Sequence, residues 1–226
     1  MTRSRSFRPR LVGVIFSEND LARALTLPRL PDLFELRLDG LHPVIAQLPD
    51  AIRRLRRPLI ITARSPAEGG KGRLPLERRR ELLLRFLPYA ALVDVELRSA
   101  SGLSAVRERA RAKKVQVILS IHDSKTTPKS HELQSAVARA CLLGADIFKV
   151  AVCTDRAPQV ERLLKFIRTE SSRIPISAMG LGRLGSQSRA RLAGAGSVLN
   201  YAHLGEPVVE GQPSLAELRA NCLSIR

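Results

Sequence analysis

The stretch that decides the fold is QVILSIHDSKTTPKSHELQSAVARACLLGADIFKVAV, residues 116–152. It opens with an apolar run, Gln116 to Asp123. A polar turn follows, then helical spacing from Lys129 to Leu143, then a second apolar run from Asp146 to Val152. Two short buried strands joined through one helix form a parallel βαβ unit, because a hairpin could not accommodate the crossover. The Thr127-Pro128 pair marks the entry to this helix.

The same alternation runs outward in both directions. Upstream strands are expected at Leu11 to Phe16, Leu33 to Asp39, Pro58 to Arg64 and Leu92 to Leu97, and downstream ones at Pro175 to Leu181 and Ser197 to Leu204. Helical spacing fills the gaps at Glu18 to Leu27, Val44 to Arg54, Leu76 to Leu87, Ser104 to Ala112, Ala157 to Glu170 and Ser186 to Ala193, with Ser214 to Leu223 after the last strand. Ser17 is placed to cap the first helix. Eight βα units in 226 residues predict an α/β fold, a single-domain (β/α)8 TIM barrel over residues 11–226, preceded by a disordered basic arm, residues 1–10. An open doubly wound sheet is the alternative, and no G-x-G-x-x-G or P-loop follows the first strand to favour it.

Composition narrows the function classes. With 44% apolar and 26% charged residues the chain is an ordinary globular protein, and no apolar run is long enough for a membrane span. The basic N-terminal residues are not followed by the apolar region of a secretory signal. Three cysteines without a C-x-x-C pair, and four histidines without metal-ligand spacing, imply neither a disulfide framework nor a metal, and fit reduced thiols in a cytoplasmic protein. The net charge of +17 raises the question of nucleic acid. The arginines, however, are spread over predicted helices (Arg53, Arg54, Arg56, Arg57; Arg78, Arg79, Arg80; Arg107, Arg109, Arg111), and aromatics for base stacking are only 4%. Solvated helix faces plus a site for an anionic metabolite are the simpler expectation, with no nucleic-acid or membrane partner.

Side chains of a barrel strand alternate between lumen and helix layer, so polar residues inside apolar strands point inward. Glu35, Arg37 and Asp39 share one face, as do Thr62 and Arg64, Asp94 and Glu96, and Ser120 and His122; Lys149 shares its face with Ile147 and Ala151. Five consecutive strands therefore aim titratable groups into one lumen, mostly near their C-terminal ends, where barrel enzymes work. Taken singly, Glu35, Arg37, Asp94 and Glu96 also fit structural ion pairs. A lysine in mid-strand is expensive unless used, and burial near Arg37 and Arg64 favours its free, nucleophilic amine. His122, on the neighbouring strand, is placed to move protons beside it. His42, His131 and His203 have no such company and read as surface or structural.

The segments E-L-R-L-D (Glu35 to Asp39), T-A-R-x-x-x-E-G-G (Thr62 to Gly70), D-V-E-L (Asp94 to Leu97), S-I-H-D (Ser120 to Asp123), F-K-V-A (Phe148 to Ala151), M-G-x-x-x-x-x-S-x-S-R (Met179 to Arg189) and G-Q (Gly211, Gln212) keep a common order over nearly the whole chain. In this the sequence resembles the type I 3-dehydroquinate dehydratases of the shikimate pathway. The resemblance implies a lyase that converts 3-dehydroquinate to 3-dehydroshikimate by cis-dehydration. Lys149 is then the Schiff-base lysine on the C3 ketone, His122 the acid/base group at C2 and C1, and Glu68 the carboxylate that positions it. Arg189 corresponds to the arginine that pairs with the substrate carboxylate, with Arg191 as its alternative. Glu35, Arg37, Arg64 and Gln212 correspond to residues that bind substrate hydroxyls and close the site. It also implies a homodimer without cofactor, since a cationic iminium is itself an electron sink.

One departure stands out: where the family carries a small hydroxyl residue before its G-Q, this chain has Pro207-Val208-Val209-Glu210. The Gly- and Lys-rich loop Gly69 to Arg73 is expected to be mobile or a plain turn. Two rival functions stay open on the residues alone. One is a class I aldolase-type barrel, for which Gly180, Gly182 and Gly185 offer a faint phosphate-site signal; the other is an inactive barrel kept as a binding module.

Overall fold

A computed structural model describes residues 9–223, with side chains through 220; residues 1–8, most of the expected arm, lie outside it. Eight strands alternate with eight helices. They are β1 (Arg10–Ile15), α1 (Glu18–Thr26), β2 (Leu33–Arg37), α2 (Leu48–Arg54), β3 (Leu59–Thr62), α3 (Leu76–Phe86), β4 (Leu92–Glu96), α4 (Ser104–Ala112), β5 (Gln116–Asp123), α5 (Ser130–Leu142), β6 (Ile147–Cys153), α6 (Ala157–Glu170), β7 (Ile176–Leu181), α7 (Gly185–Gly194), β8 (Leu199–His203) and α8 (Leu215–Leu223). All ladders are parallel, in the order β7-β6-β5-β4-β3-β2-β1-β8. This is the (β/α)8 barrel.

The seam between β7 and β8 closes differently from the other junctions. Val198 N–H donates to the Ile176 carbonyl at 2.9 Å. The Ser197 hydroxyl accepts from Ala178 N–H at 3.0 Å, and the Ser177 hydroxyl donates to the Leu199 carbonyl at 2.7 Å. Serine side chains thus satisfy backbone groups that an open edge would leave unpaired.

Local chemistry sets the element ends. At α1 the Ser17 hydroxyl accepts the Asp20 N–H while the Asp20 carboxylate accepts Ser17 N–H, a reciprocal capping box. The fifth helix begins at Ser130, one residue after the expected Lys129, because the Glu132 carboxylate takes Lys129 N–H and fixes the cap there. A continuous helix from Val44 fails because Pro49 would sit in its interior; a 3-10 turn (His42–Val44) precedes α2, which places Pro49 in its first turn. Likewise β2 stops at Arg37, whose carbonyl accepts the N–H groups of Gly40 and Leu41 in a turn.

Apolar packing has two shells. One lies between sheet and helices, with Phe34, Leu36, Ile61, Val93, Leu119, Phe148 and Val150 against Leu82, Phe86, Leu163 and Ile167. The other fills the lumen floor with Val12, Leu33, Ile60, Leu92, Ile118, Ile147 and Leu199. Each such fully buried side chain contributes roughly 1.5–3 kcal/mol, and together they offset the desolvation of the charged layer resting on that floor. Two helix arginines expected at the solvated surface turn inward instead. Arg79 pairs with Glu96 at 2.8 Å, and Arg107 donates to the Leu143 carbonyl at 3.0 Å. No helix among the described residues is long and apolar enough to cross a membrane.

Candidate active site

Above the apolar floor the inward faces of β2 to β6 and β8 build a polar layer. Lys149, buried on β6, directs Nζ to Asp94 Oδ2 at 2.9 Å and Glu35 Oε1 at 3.3 Å, and lies 4.0 Å from the centre of the Tyr201 ring. Arg64 donates to the same Asp94 oxygen at 2.9 Å and to the Ser120 hydroxyl at 2.8 Å, and Ser120 in turn donates to Asp94 Oδ1 at 2.6 Å. Burial alone would raise the Asp94 pKa, but the charges of Arg64 and Lys149 more than offset it and hold the carboxyl far below its ordinary range. Arg64 thus stands beside Lys149 with both cations on the one Asp94 oxygen, and two carboxylates contact the amine directly. Thr62 donates to Glu35 Oε1 at 2.8 Å, which holds the second carboxylate in place.

His122, at the C-terminal end of β5, packs over this layer. Its Nδ1 lies 3.0 Å from Glu68 Oε2, which leaves Nε2 to serve a ligand. Glu68 is positioned by a 3-10 turn (Pro66–Glu68) after β3 and by the two glycines that follow it. Gly69 takes a left-handed φ of 81°, and a Cβ at Gly70 would stand 2.2 Å from the Arg64 carbonyl oxygen. Only glycine allows the loop to fold back here. The loop is anchored by Lys71 N–H on Asp39 Oδ2 at 3.0 Å, and Asp39 also takes the forked guanidinium of Arg37 at 2.9 and 2.7 Å.

Electrostatics set the protonation of the His122–Glu68 pair. Burial, aided by the neighbouring Glu96 carboxylate, pushes Glu68 up to about 8. Burial together with the charges of Arg64 and Lys149 pushes His122 well below the usual imidazole value. The pair thus enters the neutral range as a carboxylic acid against an uncharged ring.

Glu96 departs from the expected pocket and takes the ion-pair alternative. It accepts Arg79 from α3 at 2.8 Å, Ser99 at 3.0 Å and Ser65 N–H at 2.5 Å, so it ties the β3 loop to the helix layer.

Arg189 and Arg191 differ in burial. Arg191 is half exposed and pairs with Glu161 at 2.5 Å. Arg189 is 3% exposed, faces the lumen mouth, and donates to the carbonyls of Gly180 at 3.1 Å and Tyr201 at 2.7 Å. Its nearest partners carry no charge, and burial pushes its pKa down to about 10.

These groups open on a cavity of about 420 Å³ lined by Glu35, Arg37, Arg64, Glu68, His122, Lys149, Arg189 and Gln212, with Tyr201, Met179, Val208 and Val209 among its apolar walls. Lys149, His122, Glu68, Glu35, Arg37, Arg64, Arg189 and Gln212 are therefore brought to one chamber. Gln212 reaches it on the loop after β8, with its amide oxygen accepting Val208 N–H at 2.8 Å. The glycines considered for a phosphate site are explained by packing. A Cβ at Gly180 would overlap the hydroxyls of Ser188 and Thr154, and Gly185 lies against the backbone of Gly211. Among the described residues no cluster of three or more His, Cys, Asp or Glu is arranged to hold a metal ion. Tyr201 was not anticipated. Its parity with Leu199 in LNYAH places it inward, but nothing in the sequence puts its ring against the lysine nitrogen.

The family model of the type I 3-dehydroquinases matches residues 16–224. The chain belongs to that family. Among curated relatives, the 3-dehydroquinate dehydratase of Methanocella arvoryzae is 32% identical over 213 residues, covering 94% of both chains. The catabolic 3-dehydroquinate dehydratase of Acinetobacter baylyi is 31% identical over 200 residues, 83% of this chain and 74% of that protein. Among solved structures, the type I 3-dehydroquinate dehydratase of Clostridium difficile with covalently modified comenic acid superposes with a TM-score of 0.86. It is 28% identical and covers 96% of this chain and 92% of that one. Membership in the type I 3-dehydroquinase family displaces the aldolase and the inactive-barrel readings.

Proposed function

We propose that this lyase dehydrates 3-dehydroquinate to 3-dehydroshikimate at the chamber above the barrel floor, with Lys149 as the Schiff-base nucleophile and His122 as general acid/base. The observation that carries this reading is the placement of one buried amine and one imidazole held by Glu68 on adjacent strands, opening on the same cavity. Before it attacks, the amine must shed a proton and release its contact with Asp94 at 2.9 Å. Condensation with the C3 ketone converts a neutral carbonyl into a cationic iminium, which acidifies the adjacent C2–H without metal or organic cofactor. His122 Nε2 removes that proton and returns one to the departing C1 hydroxyl; Glu68 orients the ring through Nδ1.

Arg189 receives the substrate carboxylate, a planar bidentate partner for a guanidinium that has none within the protein. Glu35, Arg37 and Gln212 address the substrate hydroxyls. Arg64, already committed to Asp94 and Ser120, acts chiefly by fixing the lysine's counter-ion. Family membership supports extending the reading to a cytoplasmic homodimer that acts on a small molecule with no nucleic-acid or membrane partner.

The test is the appearance of the conjugated product from 3-dehydroquinate by ultraviolet absorbance. The purified protein produces it; Lys149→Ala does not. His122→Ala still forms the imine but turns over barely at all, and normal turnover in that variant would remove His122 from its role.

A further inference from the structure

We infer that the Tyr201 ring is a catalytic element of this site: its face stabilises the positive charge that Lys149 carries through imine formation. The inference rests on the Lys149 reading above. Nζ lies 4.0 Å from the ring centre, inside the range of a cation–π contact, and Tyr201 and Lys149 are each 3% exposed, so little water screens the interaction. The phenol adds nothing to this contact: its oxygen is buried without a hydrogen-bond partner, although such burial is costly. The feature of Tyr201 that has found its partner is therefore the ring.

Donor counting shows why a ring is useful here. The ammonium has three N–H bonds and uses two of them on Asp94 and Glu35. Condensation joins R–NH3⁺ and a ketone to give R–NH⁺=C and water: the Nζ–C bonds form, the C–O bonds break, and the two N–H protons leave on the departing oxygen. The charge stays at +1, but only one N–H remains. One of the two carboxylate contacts must then lose its hydrogen bond. The ring contact needs no N–H and survives the change, and the planar iminium can lie flat over it. The ring contact therefore carries a larger share of the cation's stabilisation in the iminium than in the doubly hydrogen-bonded ammonium.

The experiment replaces Tyr201 with phenylalanine, with leucine, and with phenylalanines bearing one, two and three ring fluorines. Fluorination weakens the ring quadrupole with little change in shape. The readout is the rate of borohydride-dependent covalent trapping of 3-dehydroquinate, by intact mass. Tyr201→Phe should trap within about threefold of the parent. The fluorinated series should slow stepwise, and Tyr201→Leu should slow by about thirtyfold, the equivalent of a desolvated cation–π contact. A flat fluorine series with efficient trapping overturns the ring's role while leaving the Lys149 reading intact. A Tyr201→Phe loss as large as that of Tyr201→Leu overturns it in favour of the hydroxyl. If the parent itself does not trap, the Schiff-base reading falls and the inference falls with it.

Discussion

Replacing Arg189 with methionine removes the one buried cation of the chamber whose contacts in the protein are all uncharged. Its pKa, lowered to about 10 by burial, corresponds to roughly 3 kcal/mol of unrelieved desolvation. A carboxylate seated in the cavity relieves part of that cost and adds two charge-assisted hydrogen bonds, each contributing about 1.5–3 kcal/mol. Losing them costs about 3–6 kcal/mol, a fall in kcat/KM of roughly 10²- to 10⁴-fold. The carboxylate does not react, so it is bound alike in ground and transition states and the loss falls mainly on KM. The assay is initial rate against 3-dehydroquinate concentration by ultraviolet absorbance, with thermal unfolding to verify that the variant is folded. Arg191→Met, at a surface pair with Glu161, is the control and stays within about twofold, as surface changes do. A folded Arg189→Met protein with less than tenfold loss, or a larger loss in Arg191→Met, would refute the assignment of the carboxylate clamp.

The remaining expectations concern charge. Because Glu68 keeps its proton up to about pH 8, its ionisation above that value strengthens His122 as a base, so kcat/KM climbs as pH rises through about 8; Glu68→Gln should lack that limb, and its persistence would refute the coupling. Asp94→Ala leaves buried Arg64 and Lys149 short of a counter-ion and should lower unfolding free energy by about 3–5 kcal/mol in urea titration. Since the folded pKa of Asp94 is depressed, its contribution is present above the ordinary carboxylate range and is lost only as pH falls towards that folded value; Asp94→Asn should flatten this acid dependence.

The alternation of polar and apolar residues in LFELRLD, VILSIHD and DIFKVAV was sufficient to place Glu35, His122 and Lys149 inside a barrel, because a strand has only two faces and one of them must be apolar against the helices. It was insufficient to name partners. Which carboxylate meets Lys149 depends on how eight strands close around the lumen, and Asp94 reaches it from two strands away while Tyr201 arrives from across the seam. Glu96 shows the same limit at a strand end, where the parity that points inward is overridden by Arg79 coming over from α3. The E-G-G turn was legible as a motif. Its reason, the approach of Gly70 to the Arg64 carbonyl, is visible only in three dimensions. The +17 net charge likewise concealed two arginines that are buried as structural donors, Arg79 and Arg107.

The central claim is that Lys149 forms a covalent imine with substrate. Incubating the protein with 3-dehydroquinate and sodium borohydride, followed by intact mass and peptide mapping, tests it directly. The account predicts a single reduced adduct on the peptide containing Lys149, retained in His122→Ala and absent from Lys149→Ala. An enzyme that turns over 3-dehydroquinate with no adduct, or with the adduct on another lysine, would contradict it.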